Sequence, residues 1–232
     1  MTCPRLITLM VVVLLTLPLP LGLVGASQGA PAITCHCFQD RQFDPAHPAA
    51  ADPYLLATVQ NRLIAALSGL PRQEIVRRKM AGTPGDRLWV ALYVADVTAR
   101  PVVDVLAACE AADGWPAVLV PLGADPERLG SVFMAHLTAG DDDAALADAV
   151  IEQLLPTRLG TPPAIISELR SAGAGSREVV AAVVLAEATG HRPAEVYRQA
   201  MTAGSWGQWL DRAGLTLAQL DAWLAKTLQT RS

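Results

Sequence analysis

Apolar residues follow two different patterns along this chain. From Leu6 to Val24 they form one run, interrupted only by Thr8, Thr16, Pro18, Pro20 and Gly22 and preceded by the positively charged start Met1 to Arg5. From Asp52 onward they recur every three or four residues, the period of a helix that buries one face. Asp52-Pro53 pairs an N-capping residue with a proline suited to a first helical turn; Leu56, Val59, Leu63 and Leu67 then share a face until Gly69. Pro71 opens a second helix through Lys79, and its Arg72, Arg77, Arg78 and Lys79 read as a solvated basic face. Further on, Asp141-Asp142-Asp143 caps a helix carrying Leu146, Val150 and Leu154; carboxylates are favourable in a first turn, so this run needs no metal. Gly160 to Pro163 breaks the chain, a helix runs from about Pro163 to Ala172, and Gly173-Ala174-Gly175-Ser176 makes a helix-to-helix turn.

The chain also resembles itself. At an offset of 91 residues Ala91, Ala95, Thr98, Val105, Ala112, Trp115, Leu119, Gly123 and Leu129 meet Ala182, Ala186, Thr189, Val196, Ala203, Trp206, Leu210, Gly214 and Leu220. Alanine matches carry little weight in an alanine-rich chain, but the Trp, Gly, Thr and Leu pairs point to an internal duplication of segments at about Asp86 to Phe133 and Arg177 to Leu224. Thr98 and Thr189 fall near helix ends, and Arg100-Pro101 and Arg192-Pro193 start the next helix, with one extra residue in the second copy. Trp115 and Trp206 anchor a short helix, Gly123 and Gly214 suit left-handed turns, and Asp125 and Thr216 cap the helix that follows. Val118-Leu119-Val120 alone could be a strand, but its counterpart Trp209-Leu210-Asp211 favours helix in both. A fainter third copy is read in Pro71, Glu74, Ile75, Gly82 and Leu88 against Pro193, Glu195, Val196, Gly204 and Leu210.

The fold expected is therefore all-α, a multi-helix array with two related helical modules, at 53–140 and 141–232, preceded by an extended arm over 27–52. The arm carries Asp44-Pro45 and His47-Pro48, both of which disfavour helix. Residues 1–26 read as a secretory signal peptide, cleaved after Ala26 or, at a second small-residue site, after Ala32. That places the mature chain in the periplasm or outside the cell. The alternative is an uncleaved inner-membrane anchor, which Pro18 and Pro20 disfavour.

Composition refines this picture. The 232 residues are 52% hydrophobic but only 5% aromatic and 17% charged, an apolar excess that comes largely from alanine and not from strand-favouring residues. The net charge of −4 becomes −5 once the signal segment is removed, and the chain has no block of Lys or Arg, so nucleic acid is not an expected partner. Trp89, Trp115, Trp206, Trp209 and Trp223 sit at helical spacings that favour core anchoring over a binding groove, and His136 and His191 read as packed or surface residues.

Chemistry has one focus. Cys35-His36-Cys37 places two sulfurs and an imidazole within three residues, which could ligate a soft or borderline metal with His47 or Cys109 completing the set. The same sulfurs are disulfide candidates: Cys35 with Cys37 in a strained, redox-active ring, or either with Cys109, tying the arm to the body. Cys109 also fits as a small buried residue, since its repeat partner is Ala200. The chain has no phosphate-binding Gly-rich loop, no His-Glu-x-x-His and no Gly-x-Ser-x-Gly, so no enzyme class is promoted and no cofactor beyond a metal ion is called for.

Cys35-His36-Cys37-Phe38, with Asp40-Arg41, Phe43-Asp44-Pro45 and Ala51-Asp52-Pro53-Tyr54, resembles a group of secreted bacterial proteins that join a signal peptide to such an arm and a helical body. Thr189-Gly190, Pro193-x-Glu195 and Gly204-Ser205-Trp206-Gly207 through Gly214 resemble a short helical module common in exported proteins. The resemblance implies an exported all-helical protein and carries over no activity. Three functions stay open: an interaction module for a protein or cell-envelope partner, metal or thiol-redox chemistry at Cys35-His36-Cys37, and an enzyme without a recognisable signature. The first is preferred.

Overall fold

Prolines and short acidic residues set the helix starts, and the apolar period sets what each helix buries. The computed structural model describes residues 43–112 and 114–230, and every regular element among them is helical. The elements are α1 (Asp52–Ser68), α2 (Arg72–Met80), α3 (Gly85–Thr98), α4 (Val102–Ala111), α5 (Trp115–Leu119), α6 (Pro126–Leu129) and α7 (Ser131–Ala139). They are followed by α8 (Asp143–Leu154) with a π-helical turn over Leu155–Leu159, α9 (Pro163–Ser171), α10 (Ser176–Thr189), α11 (Pro193–Ala203), α12 (Trp206–Ala213) and α13 (Leu217–Thr230). The all-α expectation holds. Val118 and Leu119 are helical and buried in α5, and no described helix is long and apolar enough to cross a membrane.

Helix starts recur at one spacing. Asp52 and Asp143 begin α1 and α8, Arg72 and Pro163 begin α2 and α9, and Gly85 and Ser176 begin α3 and α10, each pair 91 residues apart. Val102 and Pro193, Trp115 and Trp206, and Pro126 and Leu217 keep the same interval. This corrects two sequence readings. There is no extra residue before Pro193: Pro101 is the N-cap of α4, whereas Pro193 is already the first residue of α11. The stretch from Pro71 does not align with Pro193 either, because Pro71 and Pro162 are N-caps of nearly identical backbone (φ −57, ψ 136 and φ −59, ψ 134).

Turns follow the interval as well. The Thr83 and Ala174 N–H groups donate to the Arg78 and Leu169 carbonyls, and those of Arg100 and His191 donate to Ala95 and Ala186. The Thr98 and Thr189 hydroxyls donate to the carbonyls four residues back. Ile75 and Ile166, Val105 and Val196, Trp115 and Trp206, Leu129 and Leu220, and Phe133 and Leu224 are all buried. One departure stands out: α13 runs unbroken, whereas the matching residues 126–139 split into α6 and α7 at Gly130, whose φ of 79 no helix accommodates. Asp221 occupies the matching place in α13.

Packing crosses between the two stretches. α3 and α10 are buried almost all round, over residues 88–95 and 179–186, as apolar helices enclosed by others must be. Besides α2 and α3, α1 packs against α10, α12 and α13, while α8 packs against α3 and α7. The opening helix of each stretch therefore lies against helices of the other.

Asp52 shows this at atomic scale. Expected to cap α1, it lies in the first turn behind Ala51, and its carboxylate instead accepts from the Trp206 N–H at 3.0 Å, the Gly207 N–H at 2.9 Å and the Ser205 hydroxyl at 3.0 Å. It thus satisfies the open N–H groups at the start of α12. Asp143, at the matching place in α8, accepts from the Trp115 indole N–H and from Arg87 Nε, each at 2.8 Å. The described end of the arm, residues 43–51, runs in successive turns: Phe43 lies against Gly207, and the Pro48 carbonyl accepts from Ser205.

The basic face of α2 is also less solvated than expected. Lys79 is buried and donates to Asn61 Oδ1 at 2.6 Å and Arg78 is only 17% exposed, while Arg72 and Arg77 stand open.

Candidate functional site

Of the residues singled out for metal or disulfide chemistry, Cys35, His36 and Cys37 lie outside the described residues. His47 is exposed, and its Nδ1 sits 3.2 Å from Asp44 Oδ2 in a local turn. The Ala46 N–H and then His47 hold the Asp44 carboxyl below its ordinary range. Cys109 carries a half-buried thiol on α4 with no disulfide partner among the described residues. Burial pushes it up to about 12, against the opposing pull of Arg87, so it is protonated at neutral pH and a poor nucleophile or ligand. No group of three His, Cys, Asp or Glu side chains converges to hold a metal among the described residues. His136 pairs with Asp141 at 2.8 Å, and His191 lies edge-on to Trp209, with ring centres 5.9 Å apart. Four tryptophans are core anchors, and Trp223 is partly buried.

A polar cluster was missed from sequence. Gln60, Asn61 and Arg62 are consecutive and all buried, because α1 is enclosed on several sides at once. Asn61 receives Lys79, and the Lys79 ammonium reaches the backbone of α3 at Gly85. Next to Gly85, burial raises the Asp86 carboxyl above its ordinary value, partly opposed by Arg177 and Lys79. The available signal was three polar residues in a row between Val59 and Leu63 on an otherwise apolar helix. The Asn61–Lys79 hydrogen bond ties α1 to α2, a positioning role.

The matched helix pairs α2–α4 and α9–α11 differ most in surface chemistry. On α2, Glu74 accepts from Arg77 at 2.7 and 2.8 Å and forms an ion pair with Arg78 at 2.8 Å, which hold its carboxyl down to about 2. Arg78 then reaches towards Glu110 of α4 at 3.9 Å, a charged link between the two helices. The residues matching Glu74, Arg78 and Glu110 are Ile165, Leu169 and Met201, none of them charged, and Arg77 is matched by Glu168. Between α9 and α11 there is an open groove of about 440 Å³ whose lining includes Leu169, Tyr197 and Met201, with Glu168, Arg192 and Arg198. Met201 is 42% exposed. An apolar floor edged by both signs of charge can take up an apolar side chain while pairing charges around it.

Comparison of the chain with protein families, with curated proteins and with solved structures finds no match.

Proposed function

We propose that the chain is an exported protein, periplasmic or secreted, built from two related helical modules with exchanged opening helices, and that it docks a protein partner of the cell envelope in the α9–α11 groove. The module reading is supported by the constant interval of 91 residues across six helix starts, their turns and their buried positions. Export rests on the apolar run Leu6 to Val24 and its small-residue cleavage sites.

The observation that carries the docking role is a single contrast. Where Arg78 of α2 reaches towards Glu110 of α4, the matching Leu169 is buried and the matching Met201 is exposed at the edge of an open groove. A closed groove costs the protein nothing in solubility, whereas an open apolar one is worth retaining when something occupies it.

The test is retention of envelope proteins by the immobilised full chain. A defined partner should be held by the native chain and by Glu110→Ala, and lost with Met201→Glu, which adds a charge at the groove edge. Retention that survives Met201→Glu, or no partner at all, contradicts the reading.

A further inference from the structure

The junction of α1 and α13 holds a second contrast between matched positions. Arg62 of α1 is only 8% exposed and pairs with Asp221 of α13. Arg72 Nη1 reaches the same carboxylate at 3.3 Å. Two guanidinium groups thus share one carboxylate, and the buried Nε of Arg62 has no acceptor among the described residues. A buried donor left without an acceptor is costly, and a guanidinium cannot shed its charge to avoid that cost.

At the matching contact the same problem is solved with neutral groups. Gln153 of α8 stands where α1 has Arg62, and its amide lies against Gly130, about 3.1 Å from where a Cβ would sit. The Tyr93 hydroxyl donates to Gln153 Oε1 at 2.5 Å and lies 2.7 Å from the Leu129 carbonyl oxygen. That contact is filled by protein. Val184, the residue matching Tyr93, has no hydroxyl to offer, and beside Arg62 there is instead an open cleft of about 500 Å³. Ala65, Leu224 and Leu228 supply apolar wall, and Arg72 and Asp221 line it as well.

We propose that this cleft binds a small carboxylate with an apolar body, the carboxylate engaging Arg62 and Arg72 and the body lying against Ala65 and Leu228. The planar guanidinium fork matches a carboxylate, and one net positive charge balances one negative charge. A phosphate dianion would bring excess charge and a third set of oxygens against the apolar wall. The site is independent of the α9–α11 groove and of the docking role given to it.

The test is calorimetric titration of the full chain at low salt with octanoate, octanol and inorganic phosphate. Octanoate should bind at least about ten-fold more tightly than octanol or phosphate. Arg62→Met should weaken octanoate by about ten-fold or more and Arg72→Met by several-fold, while Asp221→Asn, which removes the competing carboxylate, should tighten it. Helix content is followed by far-ultraviolet dichroism; if Arg62→Met loses helix, the Arg72 and Asp221 variants decide. Equal binding of octanol, tighter binding of phosphate, no binding of octanoate, or octanoate affinity unchanged in the folded arginine variants overturns the proposal.

Discussion

Residues 52–139 and 143–230 place helices, turns and buried positions at matching places, yet their side chains diverge where the two stretches meet solvent or each other. Arg78 of α2 reaches towards Glu110 of α4, while the matching Leu169 and Met201 carry no charge and Met201 edges an open groove. Gln153 is satisfied by Tyr93, while Arg62 lines an open cleft. Asp143 takes an indole N–H and an arginine, while Asp52 takes the start of α12. Matched frames with unmatched contacts teach that the buried apolar spacing maintains the backbone, and that the remaining positions can vary to make sites.

The largest effects should fall on the shared frame. Trp89→Ala empties the biggest buried side chain of α3 and should cost about 3–5 kcal/mol. Ile75→Ala and Ile166→Ala should each cost about 2–5 kcal/mol and lie close to one another, as read by urea denaturation. A large disparity between the two isoleucines would break the equivalence of the frames.

Next come the aspartates that open α1 and α8. Asp52→Ala strips the acceptor from three donors at the start of α12 and should cost about 2–3 kcal/mol. Asp143→Ala loses one indole and one exposed arginine contact and should cost about 1–2 kcal/mol. Equal losses would remove the distinction drawn between backbone and side-chain partners.

A smaller contrast lies in the backbone. Ala99 closes α3 in the left-handed region at φ 53, whereas Gly190 closes α10 at φ 75. Ala99→Gly should stabilise by about 0.5–1 kcal/mol and Gly190→Ala destabilise by a similar amount, measured as opposite shifts in urea midpoint.

The smallest effects concern acid. Glu74, held down to about 2, contributes stability above its unfolded value of about 4.3, and this is lost as pH falls from there through about 2. Ile165 at the matching place has no such dependence. Asp86 has the opposite sign: its folded value is raised, so the charged form is penalised at neutral pH. Asp86→Asn should therefore raise the urea midpoint at pH 7, and the gain should fade as pH drops below the carboxylate range. A gain that persists in acid would assign the effect to packing.

The sequence made the frame legible because apolar period, proline and glycine act locally. Leu63 and Val150 announce buried helix faces, and Gly69 announces a helix end, without reference to the rest of the molecule. The sites were less legible because they depend on what lies across an interface. Asp52 reads as a cap for its own helix until α12 is seen beside it, and Lys79 reads as solvated until Asn61 is placed against it. Arg62 gave no signal except its neighbours Gln60 and Asn61, a polar run whose meaning comes from the helices that enclose α1.

Because α1 and α8 each pack against helices of the other stretch, the two stretches should unfold as one cooperative unit. Equilibrium unfolding of the full chain in urea, followed together by tryptophan fluorescence and far-ultraviolet dichroism, tests it most directly. One coincident transition is predicted, shifted as a whole by Asp52→Ala. Two separated transitions, with one stretch remaining folded while the other melts, would contradict it.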